Sequence, residues 1–187
     1  NGIFPLMGNL QWKYTHEERF CLIESFLLFM LRGGMLDKHI QAVRAAFPHT
    51  LPVLAGFLFF GAAYGVLMSA NGFHPGWTIL ISLLVFAGSM QYVAIPLLLG
   101  PFQPLQLLLL TLMVNARHIF YGLSMLEPVK KAGKYKWYLV FGLCDETFSI
   151  VCSTQPPQGV SRELFMFWIT LLNQSYWIFA SGLGALA

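Results

Sequence analysis

The sequence predicts an all-α fold: a polytopic integral membrane helix bundle in which some helices are broken or re-entrant. Three observations support this class. Only 10% of the 187 residues are charged, against about 25% in soluble proteins. No Asp, Glu, Lys or Arg occurs in the 72 residues from 45 to 116. Finally, much of the chain divides into apolar segments near the length that spans a bilayer, about 20 residues.

Two regions are expected along the chain. Residues 1–34 mix polar and apolar side chains without a sustained period, and we expect a non-native or disordered extension there. Residues 35–187 are expected to form a membrane domain, truncated at its C-terminus because the last apolar segment ends without a polar flank. Within that domain, residues 36–48 suit a short amphipathic helix at the membrane surface.

Five apolar segments follow the surface helix, at residues 51–70, 77–99, 105–126, 137–154 and 164–187. The first of them contains Gly61 and Gly65. This small-xxx-small spacing allows a second helix to approach closely. We therefore predict helix packing at these two glycines.

The second apolar segment contains Gly88-Ser89 and Gln91 shortly before Pro96. Proline removes a backbone hydrogen bond, so a helix bends or stops near this point. One interpretation is a broken helix that offers free backbone groups to a ligand, as in many transporters. The other is a kinked span in which Ser89 and Gln91 bond only to their neighbours.

The basic residues give conflicting topology signals. Four lysines between 130 and 136 predict that the loop after the third segment is cytoplasmic. Lys38 and Arg44 favour, more weakly, a cytoplasmic N-terminus. Three spans lie between these groups, which would place them on opposite sides. Either the N-terminus is outside or a segment between 77 and 126 is re-entrant, with Gly88–Pro104 as the natural candidate.

Four ionisable residues fall in the later apolar segments: Arg117, His118, Asp145 and Glu146. A charge at the centre of a membrane helix costs about 2.5–3.5 kcal/mol on insertion scales. The residues either form a structural ion pair or line a cavity that handles a charged solute or a proton. On a continuous helix Asn115 and His118 share a face and Arg117 is displaced from it, so Arg117 is expected to serve a different neighbour.

No catalytic or cofactor motif is apparent. The chain has no His-x-x-x-His, Gly-x-Ser-x-Gly or Cys-x-x-Cys pattern, no phosphate loop and no nucleic-acid patch. We therefore expect no enzyme, no metal, no cofactor and no nucleic-acid partner. A non-transporting membrane subunit with structural charges is the alternative to a transporter, and a membrane-embedded enzyme is the less favoured one.

A set of motifs in a fixed order resembles the AzlC family. The motifs are Pro52-x-x-x-Gly56, Gly61 with Gly65, Phe86-Ala-Gly88-Ser89-Met-Gln91, Asn115-Ala-Arg117-His118 with Tyr121-Gly122, and Asp145-Glu146. The resemblance implies a multi-pass protein of the bacterial inner membrane that exports branched-chain amino acids. It also implies a small AzlD-type membrane subunit as partner in a two-component permease. Valine, leucine and isoleucine are the implied substrates, with methionine as a further candidate.

A zwitterionic aliphatic amino acid needs one site for each charge and an apolar pocket. Arg117, or a half-helix N-terminus near Gly88, suits the carboxylate, and Asp145 or Glu146 suits the ammonium or a coupling proton. Phe86 and Phe120 are candidates for the pocket wall. The full set of candidate substrate or coupling residues is Gly88, Ser89, Gln91, Asn115, Arg117, His118, Asp145 and Glu146.

Overall fold

A computed structural model describes residues 34, 36–101 and 103–187. These form helices without any strand, so the predicted all-α class is confirmed. The helices are α1 (Leu36–Ala70), α2 (Pro75–Leu84), α3 (Gly88–Leu99), α4 (Pro104–Asn115), α5 (Arg117–Ser124), α6 (Leu126–Lys131), a 3-10 turn (Gly133–Tyr135), α7 (Lys136–Phe141), α8 (Asp145–Ser153) and α9 (Arg162–Leu186).

The chain divides into two units, residues 1–40 and 41–187. Of the first unit, only residue 34 and the helical residues 36–40 are described. The expected N-terminal extension therefore lies almost entirely outside the described residues.

Helix α1 is long and apolar enough to cross a membrane. The sequence predicted a surface helix at 36–48 and a separate span from 51, but the structure joins them into one helix of 35 residues with Pro48 and Pro52 inside it. A membrane helix tolerates proline where the freed backbone groups find other partners.

Small residues bring α1 and α9 into backbone contact. A Cβ atom built on Gly61 would lie 2.7 Å from the Cβ of Ala180, and one on Gly65 would overlap the backbone at Ser181. On the opposite helix, a Cβ on Gly184 would overlap the α1 backbone. The glycines that predicted close packing therefore lie at this crossing, and the partner is the last helix of the described chain.

The second, third and fourth apolar segments are each interrupted near their middle. Residues 85–87 separate α2 from α3, and residues 142–144 separate α7 from α8. Helices α4 and α5 meet at Ala116 with a bend of 46°, a pair long enough to cross a membrane only if taken together. The prediction of broken helices is confirmed, although the first break precedes Gly88 and Pro96 lies within α3.

In the part of the chain that the structure describes, the buried side chains form two apolar clusters. One is centred on α6 to α9 and includes Met125, Val129, Leu139, Ile150, Phe165 and Ile169. The other lies between α1, α3 and α9 and includes Phe57, Tyr64, Met68, Phe86, Ile95 and Trp177. No residue of α4 or α5 is buried, so their apolar side chains face outward, as they do in helices that contact lipid.

Candidate functional site

The three helix breaks meet at one cavity of about 600 Å³. Each break contributes residues to its wall, and α1 and α9 complete it. The lining residues are Phe57, Phe59, Phe60, Ala63, Phe86, Ala87, Gly88, Ser89, Met90, Tyr92, Asn115, Arg117, His118, Cys144, Asp145, Glu146 and Trp177. Irregular backbone at membrane depth is tolerated where it borders such a cavity, so the breaks are compatible with a position inside a membrane.

Arg117 connects the three breaks. Its guanidinium forms an ion pair with Asp145 and donates a second hydrogen bond to the Ser89 hydroxyl at 2.9 Å. Ser89 is in the first turn of α3, whereas Arg117 and Asp145 are the first residues of α5 and α8. A helix N-terminus carries partial positive charge, which stabilises the Asp145 carboxylate at the start of α8.

The ion pair is incompletely satisfied. Nε of Arg117 and Oδ1 of Asp145 are shielded from solvent and have no hydrogen-bond partner among the described residues. An unpaired buried polar atom costs about 1–3 kcal/mol. A pair that served only to join helices would be expected to use these atoms. A ligand reaches them only when the surrounding side chains move, and it would need both an acceptor and a donor.

Asn115 and His118 line the same cavity as Arg117. The Nδ1 atom of His118 lies 3.2 Å from the carbonyl oxygen of Asn115, so the two adjacent basic residues do bond to different groups. Both side chains nevertheless reach the same cavity, which Glu146 lines as well.

Of the eight candidate substrate or coupling residues, Gln91 alone does not line the cavity. Its side chain is only 2% exposed. Its Oε1 accepts a hydrogen bond from the indole N–H of Trp177 at 2.7 Å, and its Nε2 donates to the Ser82 hydroxyl at 3.2 Å. Gln91 therefore lies behind the cavity wall and supports it.

The sequence did not reveal most of the aromatic wall. Of the two residues predicted for it, Phe86 lines the cavity, whereas Phe120 is 70% exposed and lies outside the cavity. Trp177 was not identified, although it follows the polar residues at the centre of the last segment by one helical turn. The break before Asp145 was also missed. Its signals were Gly142 and an acidic pair, which is typical of the first turn of a helix.

The described residues contain no group of three or more His, Cys, Asp or Glu side chains that could hold a metal ion. The cavity offers ion-pair and hydrogen-bonding groups at the three helix breaks, its charged end, and aromatic side chains over much of the remaining wall. This arrangement suits a small zwitterion with an apolar side chain.

Comparison with known proteins places the chain in a family. The family model described as AzlC protein matches residues 52–187. A branched-chain amino acid transport protein, AzlC of Bacillus subtilis strain 168, is 51% identical over 145 residues, which cover 78% of this chain and 57% of the relative. No solved structure matches.

Two further relatives are named as membrane proteins. One, from Haemophilus influenzae, is 42% identical over 78% of this chain and 60% of its own length. The other, the inner membrane protein YgaZ of Escherichia coli, is 28% identical over 73% of this chain and 57% of its own length. The chain thus spans about three fifths of these relatives. The family match and the 51% identity show that the chain belongs to the AzlC family.

Proposed function

We propose that this chain contains the substrate site of a bacterial inner-membrane exporter of branched-chain amino acids. The observation that carries the proposal is the convergence of three helix breaks on one cavity with an unsatisfied ion pair. The relative from Bacillus subtilis, named as a branched-chain amino acid transport protein, supports the substrate class.

The cavity provides a group for each part of such a substrate. Nε of Arg117 and the backbone N–H groups at the start of α3 suit the carboxylate. Oδ1 of Asp145, with Glu146 beside it, suits the ammonium or a coupling proton. Burial of an aliphatic side chain against the aromatic wall contributes about 1.5–3 kcal/mol.

The same contacts suggest how binding moves the helices. Arg117 links the starts of α3, α5 and α8 through Ser89 and Asp145. Because Nε of Arg117 and Oδ1 of Asp145 are shielded in this arrangement, a substrate that bonds to them requires these links to shift. Binding therefore favours a different arrangement of the half-helices, which is what alternating access requires.

The proposal also includes a multi-pass topology, outward transport and a small AzlD-type membrane subunit as partner, as the family resemblance implies. The protein acts in this scheme as a transporter rather than as an enzyme. A re-entrant segment between 77 and 126 is one of two topologies that agree with the lysine loop. The competing function is a non-transporting subunit in which Arg117 and Asp145 only hold helices together.

Efflux measurements test the proposal. Cells expressing the full-length protein, with and without the small subunit, are loaded with valine, leucine, isoleucine or methionine. We expect efflux to require both proteins and to be lost in Arg117→Gln. The matched control is Lys130→Gln, because Lys130 is exposed and pairs with Glu127 on the surface. Efflux that persists in membrane-inserted Arg117→Gln would contradict the proposed role of Arg117.

A further inference from the structure

We propose that Trp177 and Gly88 together set the largest apolar side chain that the cavity accepts. This inference rests on the proposed function, because it concerns the amino-acid side chain of the same substrate. Trp177 lies in α9 and lines the cavity, yet it is only 4% exposed. It is therefore a packed part of the wall.

A buried hydrogen-bond chain fixes the orientation of the indole. The indole N–H donates to Gln91 at 2.7 Å, and Gln91 donates to Ser82 at 3.2 Å. All three side chains are buried. Rotation of the ring would leave the N–H and the Gln91 oxygen unpaired away from water, which is costly. Gln91 is thus a positioning residue that acts through Trp177.

Two aromatic rings of α1 pack against the indole. The ring of Phe57 contacts it edge-on with centroids 5.2 Å apart, and the ring of Tyr64 stacks with it at 6.2 Å. Both residues are buried. Because these two rings occupy the space beside the indole, it has little room to move away from a new group at the cavity wall.

Gly88 contacts the outer edge of the same indole. A Cβ atom at Gly88 would lie 3.0 Å from Cη2 and 3.2 Å from Cζ2 of Trp177. Gly88 begins α3 and precedes Ser89, which bonds to Arg117. The indole edge therefore lies next to the charged end of the cavity. Its position fixes how much room remains for a side chain once the two charges of a substrate are bound.

Substitutions at the two positions should change selectivity in opposite directions. Trp177→Phe replaces the indole by a smaller ring and enlarges the cavity, so the transport of larger side chains rises relative to that of smaller ones. Gly88→Ala adds a methyl group to the cavity wall against the packed indole, so the transport of larger side chains falls relative to that of smaller ones. One methylene in an apolar pocket changes discrimination about 10- to 200-fold. We expect about a tenfold change in the phenylalanine-to-leucine ratio, upward for Trp177→Phe and downward for Gly88→Ala.

The experiment measures competition by alanine, valine, leucine and phenylalanine for leucine uptake into proteoliposomes that contain the full-length protein with its small subunit. Gln91→Met, which removes the indole's acceptor, should shift the ratio in the same direction as Trp177→Phe but less. Trp137→Phe is the matched control, because Trp137 is 77% exposed and lies outside the cavity. Trp137→Phe should keep the wild-type order in which the four amino acids compete with leucine.

The outcomes separate this inference from the proposed function. If the wild-type protein recognises none of the four amino acids, the proposed function fails and this inference fails with it. If the wild-type protein transports leucine but Trp177→Phe and Gly88→Ala keep its order of preference, only the size limit is refuted. Should Trp177→Phe not insert into the membrane, the opposite shifts expected for Gly88→Ala and Gln91→Met decide the question.

Discussion

Replacing Arg117 by Gln and Asp145 by Asn, singly and together, separates a substrate-binding pair from a structural one. A hydrogen bond to a charged group contributes about 1.5–3 kcal/mol. The two side chains are 39% and 37% exposed, so water offsets part of the loss. We therefore expect each single variant to lose about 1–2 kcal/mol of stability, because it leaves one charge without its partner.

The double variant removes both charges and leaves neither unpaired. We expect it to recover part of the stability lost in the single variants, with a coupling energy of about 1 kcal/mol. Efflux should not recover, because both charged groups proposed to bind the zwitterion are gone. A loss of only about 1.4 kcal/mol of binding free energy lowers the affinity for the substrate tenfold.

Thermal unfolding in detergent and amino-acid efflux are measured on the same four proteins, wild type included. The control cycle is Glu127→Gln with Lys130→Gln, an exposed surface pair whose charged atoms lie 3.5 Å apart. Such pairs contribute about 0–1 kcal/mol, so little change is expected in either assay. Efflux that returned together with stability in the Arg117/Asp145 double variant would refute the substrate role and favour the structural one.

Two further predictions concern the packing that holds the cavity. Gly65→Val should prevent proper folding, because the new side chain would overlap the α9 backbone, whereas a Cβ at Gly56 meets nothing within 4 Å and Gly56→Ala should be tolerated. Membrane yield and detergent gel filtration distinguish the two variants. Normal yield and elution of Gly65→Val would show that α1 and α9 pack less closely than described. Tyr138→Phe should lower stability by about 1–3 kcal/mol, because the Tyr138 hydroxyl donates to the buried Gln174 at 2.6 Å; an unchanged unfolding temperature would contradict this.

The sequence identified most of the candidate site by the rarity of its charges. Arg117, His118, Asp145 and Glu146 stand out in apolar segments, and all four line the cavity. The aromatic wall could not be found in this way. Aromatic residues are abundant throughout the chain, at 16%, so composition gives no reason to select Trp177 from the others.

The sequence by itself determined the helical class, the apolar segments and the family resemblance, because these depend on composition and local order along the chain. The choice of Asp145 over Glu146 as the partner of Arg117 was decided only by the tertiary structure. So was the placement of Gln91 behind Trp177, 86 residues away in sequence. Helical periodicity relates residues only while a helix continues, and here three helices break at the cavity. Across those breaks, packing alone decides which side chains meet.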